Sequence, residues 1–327
     1  MSKKVFVVAE IGNNHEGDFR LAKKLIYKAY ECGVDAVKFQ IFKTDLFIHN
    51  KDTKNYKKFK KFELSQKKFL LLKNYCKKLG LTFFGSAFDV ESLDFLIKNT
   101  HIIKIASSEN VNFEMIHKVL RNKKKCIIST GFLDYNSIKK LVNNLNKSFN
   151  KKFLKKKLSI MHCVSSYPAD NKDLNLNTIK QLKKDLDIEI GYSDHSLGID
   201  ACKIAVSLGA TIIEKHFTLN KNFSSFRDHQ LSANPKEMKE MINHIRDIKI
   251  ILGNGKKIIT NKEKINLNSC RRSYYLKKDV KKGEKIIKEN LIPLRPYVKN
   301  SVKIENLKKM INKKHSENLK KNTVFIK

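Results

Sequence analysis

The chain has 327 residues and carries 68 Lys+Arg against 32 Asp+Glu, a formal charge of +36, and its length admits a barrel of about 250 residues with a small extra module. Such a charge raises nucleic acid or an anionic surface as a partner, but the lysines are spread over nearly the whole chain among Asn and Ile, and no nucleic-acid-binding motif accompanies them. The pattern therefore reads as solvated faces more than as a shaped nucleic-acid groove.

From the N-terminus, Met1-Ser-Lys-Lys leads straight into the short apolar run Val5–Ile11, which is too brief for a signal peptide and enters a strand. No apolar run is long enough to cross a bilayer, so no membrane partner and a cytoplasmic location are expected. The cysteines Cys32, Cys76, Cys126, Cys163, Cys202 and Cys270 form no C-x-x-C pair and read as reduced, mostly structural thiols.

Short β-branched or aromatic runs then alternate with stretches of helical periodicity. The predicted strands are Val5–Ile11, Ala36–Gln40, Thr82–Ser86, Ile102–Ala106, Cys126–Ser129, Leu158–Cys163, Glu189–Tyr192 and Thr211–Phe217. Between the first two, Leu21, Ala22, Leu25, Ile26, Ala29 and Cys32 fall on one helical stripe. After the eighth, Asn234 caps a helix with Pro235 at its first position and Glu237 completing a capping box, and Gly253 ends it. No Gly-rich dinucleotide loop follows the first strand, which favours a closed (β/α)8 TIM barrel over an open doubly wound sheet. Residues 1–255 are thus expected to form the barrel and 256–270, rich in Lys and Asn, a linker. Residues 271–327 are expected to form a small β-rich module with strand-like pieces at Ser273–Leu276 and Thr323–Ile326.

In such barrels the chemistry sits at the C-terminal ends of the strands and in the loops that follow. Those positions carry Glu10, Lys38, Gln40, Ser86, Lys104, Ser107, Ser129-Thr130-Gly131, His162, Cys163, Ser165, Ser166, Tyr167, Ser193-Asp194-His195 and Glu214-Lys215-His216. Lys38 and Lys104 lie inside apolar strands, where a stray ammonium is expensive to desolvate, and with the hydroxyls they would cradle a small phosphate and carboxylate. His195 and His216 end consecutive strands and would suit Mn²⁺, Mg²⁺ or a similar divalent metal; the same pair could equally be structural.

The segments Ala9-Glu10-Ile11-Gly12-Asn13-Asn14-His15-Glu16-Gly17, Val37-Lys38-Phe39-Gln40, Lys104-Ile105-Ala106-Ser107, Ser129-Thr130-Gly131, His162-Cys163-Val164-Ser165-Ser166-Tyr167-Pro168, Gly191-Tyr192-Ser193-Asp194-His195 and Glu214-Lys215-His216-Phe217-Thr218 together resemble the sialic acid synthase family. The tail from Arg271-Arg272-Ser273 to Arg295-Pro296 resembles that family's antifreeze-like SAF domain. The resemblance implies condensation of phosphoenolpyruvate with an open-chain N-acetylated hexosamine, N-acetylmannosamine or a 2,4-diacetamido analogue, to give a nonulosonic acid and phosphate. By the same resemblance, Lys38, Ser86, Lys104, Ser107, Ser129, Ser165 and Ser193 hold phosphoenolpyruvate, and Glu10 stands near the reacting carbons. Tyr167, Glu214, Asp228 and Arg295 contact the sugar, and His195 and His216 hold a divalent metal, Mn²⁺ first and Mg²⁺ or Co²⁺ otherwise. Arg295 is then inserted into the partner's site of a domain-swapped homodimer. The chain departs from the family pattern at Gly85-Ser86-Ala87-Phe88-Asp89, at Ile41, at Ser165, at Phe226-Arg227-Asp228-His229 and at Tyr297-Val298-Lys299-Asn300. These changes gather on the sugar side.

Three other readings remain at this level. One is a phosphoenolpyruvate-dependent synthase acting on a phosphorylated sugar, as in deoxyoctulosonate or deoxyheptulosonate phosphate formation. Another is a Schiff-base aldolase using Lys104 as its amine. The third is a non-enzymatic basic protein that binds an anionic polymer.

Overall fold

The computed structural model describes residues 4–326 and divides the chain into two compact units, Met1–Gly253 and Asn254–Lys327. In the first, eight parallel strands pair in chain order and close into a barrel through β1 and β8. They are β1 (Phe6–Gly12), β2 (Ala36–Ile41), β3 (Thr82–Ala87), β4 (Ile102–Ile105), β5 (Lys125–Ser129), β6 (Leu158–Cys163), β7 (Glu189–Asp194) and β8 (Ile212–His216). These agree with the sequence expectation to within one or two residues at each end.

The helices form for local reasons and pack for apolar ones. Asp18 caps Phe19–Cys32 by accepting from the Arg20 and Leu21 amides, Gly33 ends it at φ 86°, and the buried stripe is Ala22, Leu25, Ile26, Ala29 and Cys32. Full burial of each such Leu or Ile stabilises by about 1.5–3 kcal/mol. The capping box at Asn234 and Glu237 is formed, and it opens the helix Pro235–Leu252.

Period-two alternation decides what the barrel interior contains. One set of inward positions, Val8, Ala36, Phe84, Ile127, Met161 and Ile212, makes an apolar plug. Two residues further along the same strands stand Glu10, Lys38, Ser86, Ser129, Cys163 and Glu214. A dry floor thus lies directly beneath a polar layer at the C-terminal rim. The outward positions, among them Val7, Ala9, Val37, Phe39, Ile103 and Ile128, join the helices in the main core.

In the second unit β9 (Ser273–Leu276) pairs antiparallel with β10 (Leu291–Leu294), and Leu276, Val280, Ile286, Leu291, Val302, Leu307 and Phe325 form a small core. Two expectations are corrected here. Residues 256–270 are not simply a linker: Asn261–Cys270 is a helix, because Thr260 and Glu263 form a capping box ahead of it. Thr323–Ile326 is not a continuous strand, since Val324 and Ile326 make isolated bridges to Tyr275 and Ser301. Among the described residues no helix is long and apolar enough to cross a membrane.

Candidate active site

The polar layer is wired by ion pairs that only barrel closure could bring together. Lys104 Nζ donates to both oxygens of Glu214, at 2.7 and 2.9 Å, and Ser193 Oγ donates to Glu214 Oε1 at 3.0 Å. Lys38 Nζ lies 3.0 Å from Glu10 Oε1 and 3.6 Å from Glu214 Oε1. Glu10, Lys38, Lys104 and Glu214 are all buried. Burial acts against the charge on Glu214, yet Lys104 and Lys38 outweigh it and hold the carboxyl at about 2. For Glu10 burial prevails over Lys38, helped by repulsion from Glu214, and the carboxyl is pushed up to about 7. Two carboxyls in one layer are thereby split into a fixed counter-ion and a group that exchanges protons near neutrality.

Three hydroxyls in the same region have nothing to bond to. Ser86, Ser129 and Ser165 each bury an Oγ that meets no partner among the described residues. A buried hydroxyl without a partner is costly, so three around two ammonium groups point to a bound anion with several acceptor oxygens. The turn Thr130–Gly131 closes this cradle. The Gly131 amide donates to Ser107 Oγ at 3.2 Å, and Asn110 Nδ2 holds the turn through the carbonyls of Ser129 and Gly131, at 3.1 and 2.8 Å. A Cβ on Gly131 would lie 2.0 Å from Ser165 Oγ and 2.7 Å from Ser107 Oγ. Gly131→Ala is therefore expected to raise the KM for the anionic substrate by roughly tenfold or more with a smaller effect on kcat, since a misplaced cradle weakens an oriented contact. An unchanged KM in steady-state assays would remove the cradle assignment.

On the other side of the mouth the imidazoles of His195 and His216 have centroids 5.4 Å apart. The Nδ1 of His195 contacts Val164 O at 2.8 Å, which leaves Nε2 as the ring nitrogen available to a ligand. Burial, with repulsion from His195 and Lys38, keeps the His216 ring neutral, and its buried Nδ1 has no hydrogen-bond partner. Asp228 Oδ2 lies 3.8 Å from that nitrogen. Among the described residues no set of three His, Cys, Asp or Glu converges to hold a metal alone. An orphaned neutral imidazole beside a second one still fits a divalent ion whose remaining positions are water or substrate oxygens. Tyr167 packs its ring 4.2 Å from that of His195, and the Arg227 guanidinium covers Tyr167 at 4.6 Å.

A cavity of about 810 Å³ opens over His216, Tyr167 and Asp228. Part of its wall, Lys54, Lys58, Phe59 and Phe62, comes from the helix Thr53–Phe62 between β2 and β3, which strand-end reasoning did not bring to the site. Asn13 and Gln40, joined by a 2.6 Å hydrogen bond, line it too. Asn110 was also missed, for its only sequence signal is an amide-bearing residue after β4. Three rim positions read from the sequence do not face the pocket. Asp194 and Lys215 pair with each other on the outer face of the barrel, and His162 bonds to Leu174 O at 2.7 Å. Strand alternation turns them away from neighbours that point inward. Arg295 belongs to the second unit, where it is exposed just after β10.

Residues 25–257 match the model of the NeuB family. The N,N'-diacetyllegionaminic acid synthase of Legionella pneumophila is 38% identical over 309 residues, covering 90% of this chain and 86% of that protein. The Campylobacter jejuni protein of the same name is 38% identical over 308 residues, covering 90% of this chain and 91% of its own. Among solved structures, an N-acetylneuraminic acid synthetase from Leptospira borgpetersenii aligns with a TM-score of 0.71 at 34% identity, covering 81% of this chain and 90% of that one. The chain belongs to the NeuB family of sialic acid synthases.

Proposed function

We propose that the protein condenses phosphoenolpyruvate with an open-chain 2,4-diacetamido hexose to give a legionaminate-type nonulosonic acid and inorganic phosphate. The buried layer of Lys38, Lys104 and three unpartnered serine hydroxyls carries this reading, because it complements a small dianionic phosphate joined to a carboxylate. The two relatives named for N,N'-diacetyllegionaminic acid support the choice of sugar.

In this reading Lys38, Lys104, Ser86, Ser107, Ser129, Ser165 and Ser193 hold phosphoenolpyruvate, and Tyr167, Glu214 and Asp228 meet the sugar. C3 of the enol attacks the aldehyde carbon, forming the C–C bond while the aldehyde oxygen takes a proton. Water adds to C2, and the C2–O bond to phosphate breaks as the water oxygen becomes the ketone. The two protons of that water balance the new hydroxyl and the released phosphate. Glu10, poised near neutrality, accepts one of them. A divalent metal held by His195 and His216, Mn²⁺ first, would polarise the aldehyde oxygen as a Lewis acid. The second unit resembles an antifreeze-like SAF domain, and Arg295, with its planar donor fork, completes the site of a second copy in a homodimer. The reaction takes place in the cytoplasm, where phosphoenolpyruvate is drawn on.

The test is phosphate release and product mass with 2,4-diacetamido sugars, N-acetylmannosamine and arabinose 5-phosphate. Turnover of a diacetamido sugar supports the proposal. Turnover only of the pentose phosphate would replace it with a deoxy-sugar-acid phosphate synthase. Glu10→Gln is expected to lower kcat by about 10²–10⁴-fold. In the parent, kcat/KM should fall as pH drops through about 7 and the Glu10 carboxylate gains a proton. A pH–rate profile whose acid limb is the same in both proteins would clear Glu10 of that role.

A further inference from the structure

The most completely buried ion pair on the barrel touches neither the pocket nor the cavity above it. Asp194 and Lys215 are register partners on β7 and β8, their charged atoms are 2.8 Å apart, and both side chains are wholly inaccessible. Each stands one residue before an imidazole of the site, Asp194 before His195 and Lys215 before His216.

The carboxylate grips the chain on both sides of His195. Its Oδ1 accepts from Tyr192 Oη at 2.9 Å, from the Ser196 amide at 2.9 Å and from Ser196 Oγ at 2.7 Å. Its Oδ2 accepts from Lys215 and, at 3.4 Å, from Cys202 Sγ. Lys215 Nζ also donates to Ser196 O at 2.5 Å. His195 itself lies past the last residue of β7, where its backbone is held by a single isolated bridge, its carbonyl accepting from the Ala169 amide at 3.0 Å. The carboxylate thus holds the peptide that follows His195, through the Ser196 amide, and the ammonium from the strand that carries His216 holds the next one, through the Ser196 carbonyl.

Stability alone does not explain such a pair. Two buried charges recover little more than their desolvation cost, and an apolar pair of the same volume would do as well or better. What an apolar pair lacks is direction: it fills space without fixing peptide orientation. We propose that Asp194–Lys215 is a positioning pair that sets the His195 and His216 imidazoles at the spacing the site uses. This rests on the proposed use of those imidazoles to hold a divalent ion.

The test compares Asp194→Asn, Lys215→Met and the double variant Asp194→Asn/Lys215→Met with the parent. Mn²⁺ affinity, melting temperature, kcat and the KM for phosphoenolpyruvate are measured for each. Both single variants should lose about 10–100-fold in Mn²⁺ affinity, as when a residue that orients a metal ligand is removed. Their kcat should fall with it while the KM for phosphoenolpyruvate holds. The double variant, which no longer buries an unpaired charge, should regain melting temperature but not Mn²⁺ affinity or kcat. A double variant with parental Mn²⁺ affinity and kcat would overturn the proposal, and so would an equal loss of phosphoenolpyruvate binding. If the parent takes up no Mn²⁺ and works in EDTA, the metal reading falls instead, and the split between kcat and KM decides the pair's role.

Discussion

Lys104→Met is expected to lower kcat/KM for phosphoenolpyruvate by about 10²–10³-fold, the usual loss when one preorganised charge donor leaves a dry site. The ammonium is buried at the centre of the layer, 2.7 Å from Glu214 and within the region of the three unpartnered hydroxyls. Its removal also strands the Glu214 carboxylate, which keeps only Lys38 at 3.6 Å and Ser193. Breaking a buried pair in this way costs about 3–5 kcal/mol, so the melting temperature should fall as well. The double variant Lys104→Met/Glu214→Leu separates the two effects, because it removes the stranded charge. It should recover much of the melting temperature and none of the activity. A Lys104→Met protein that binds phosphoenolpyruvate as the parent does would displace the lysine from its assigned place.

His216→Ala and His195→Ala are each expected to reduce turnover by about 10³-fold or more, since Lewis-acid polarisation supplies several kcal/mol of transition-state stabilisation. Both should also lose Mn²⁺ uptake. The fold should persist in both, for the rings sit at the rim above the apolar plug and neither belongs to the main core. Circular dichroism checks the fold, and titration with Mn²⁺ followed by electron paramagnetic resonance checks the ligation. Normal metal-dependent activity in both variants would refute the assignment. An intact kcat in His195→Ala alone would confine the role to His216, whose buried Nδ1 has no hydrogen-bond partner among the described residues.

The eight strands were legible because each is a short apolar run bounded by polar residues, and their ends were legible because chemistry-bearing residues interrupt those runs. Lys38 and Lys104 stood out for the same reason, as ammonium groups within apolar strands. Their partners did not. Lys104 and Glu214 are 110 positions apart, and nothing local marks them as a pair. Asn110 and the helix Thr53–Phe62 were silent because their contribution is to hold a turn or to wall a cavity, which leaves no pattern in neighbouring residues. The helix Asn261–Cys270 was hidden by composition: its stretch is rich in Lys and Asn, and the capping pair Thr260 and Glu263 was the sign to weigh.

The amino-acid order by itself determined the strands, the capped helices and, through the two-residue period, which side chains share a face of the sheet. Local propensity and apolar patterning suffice for that, since they act between near neighbours. Only the tertiary structure decided which of those faces look into the barrel. Closure of β8 onto β1 placed Glu214 against Lys104 and Lys38, and turned Lys215 outward to Asp194. The reason is geometric: a one-residue change of register exchanges every inward side chain for its neighbour, and closure of the whole sheet sets that register.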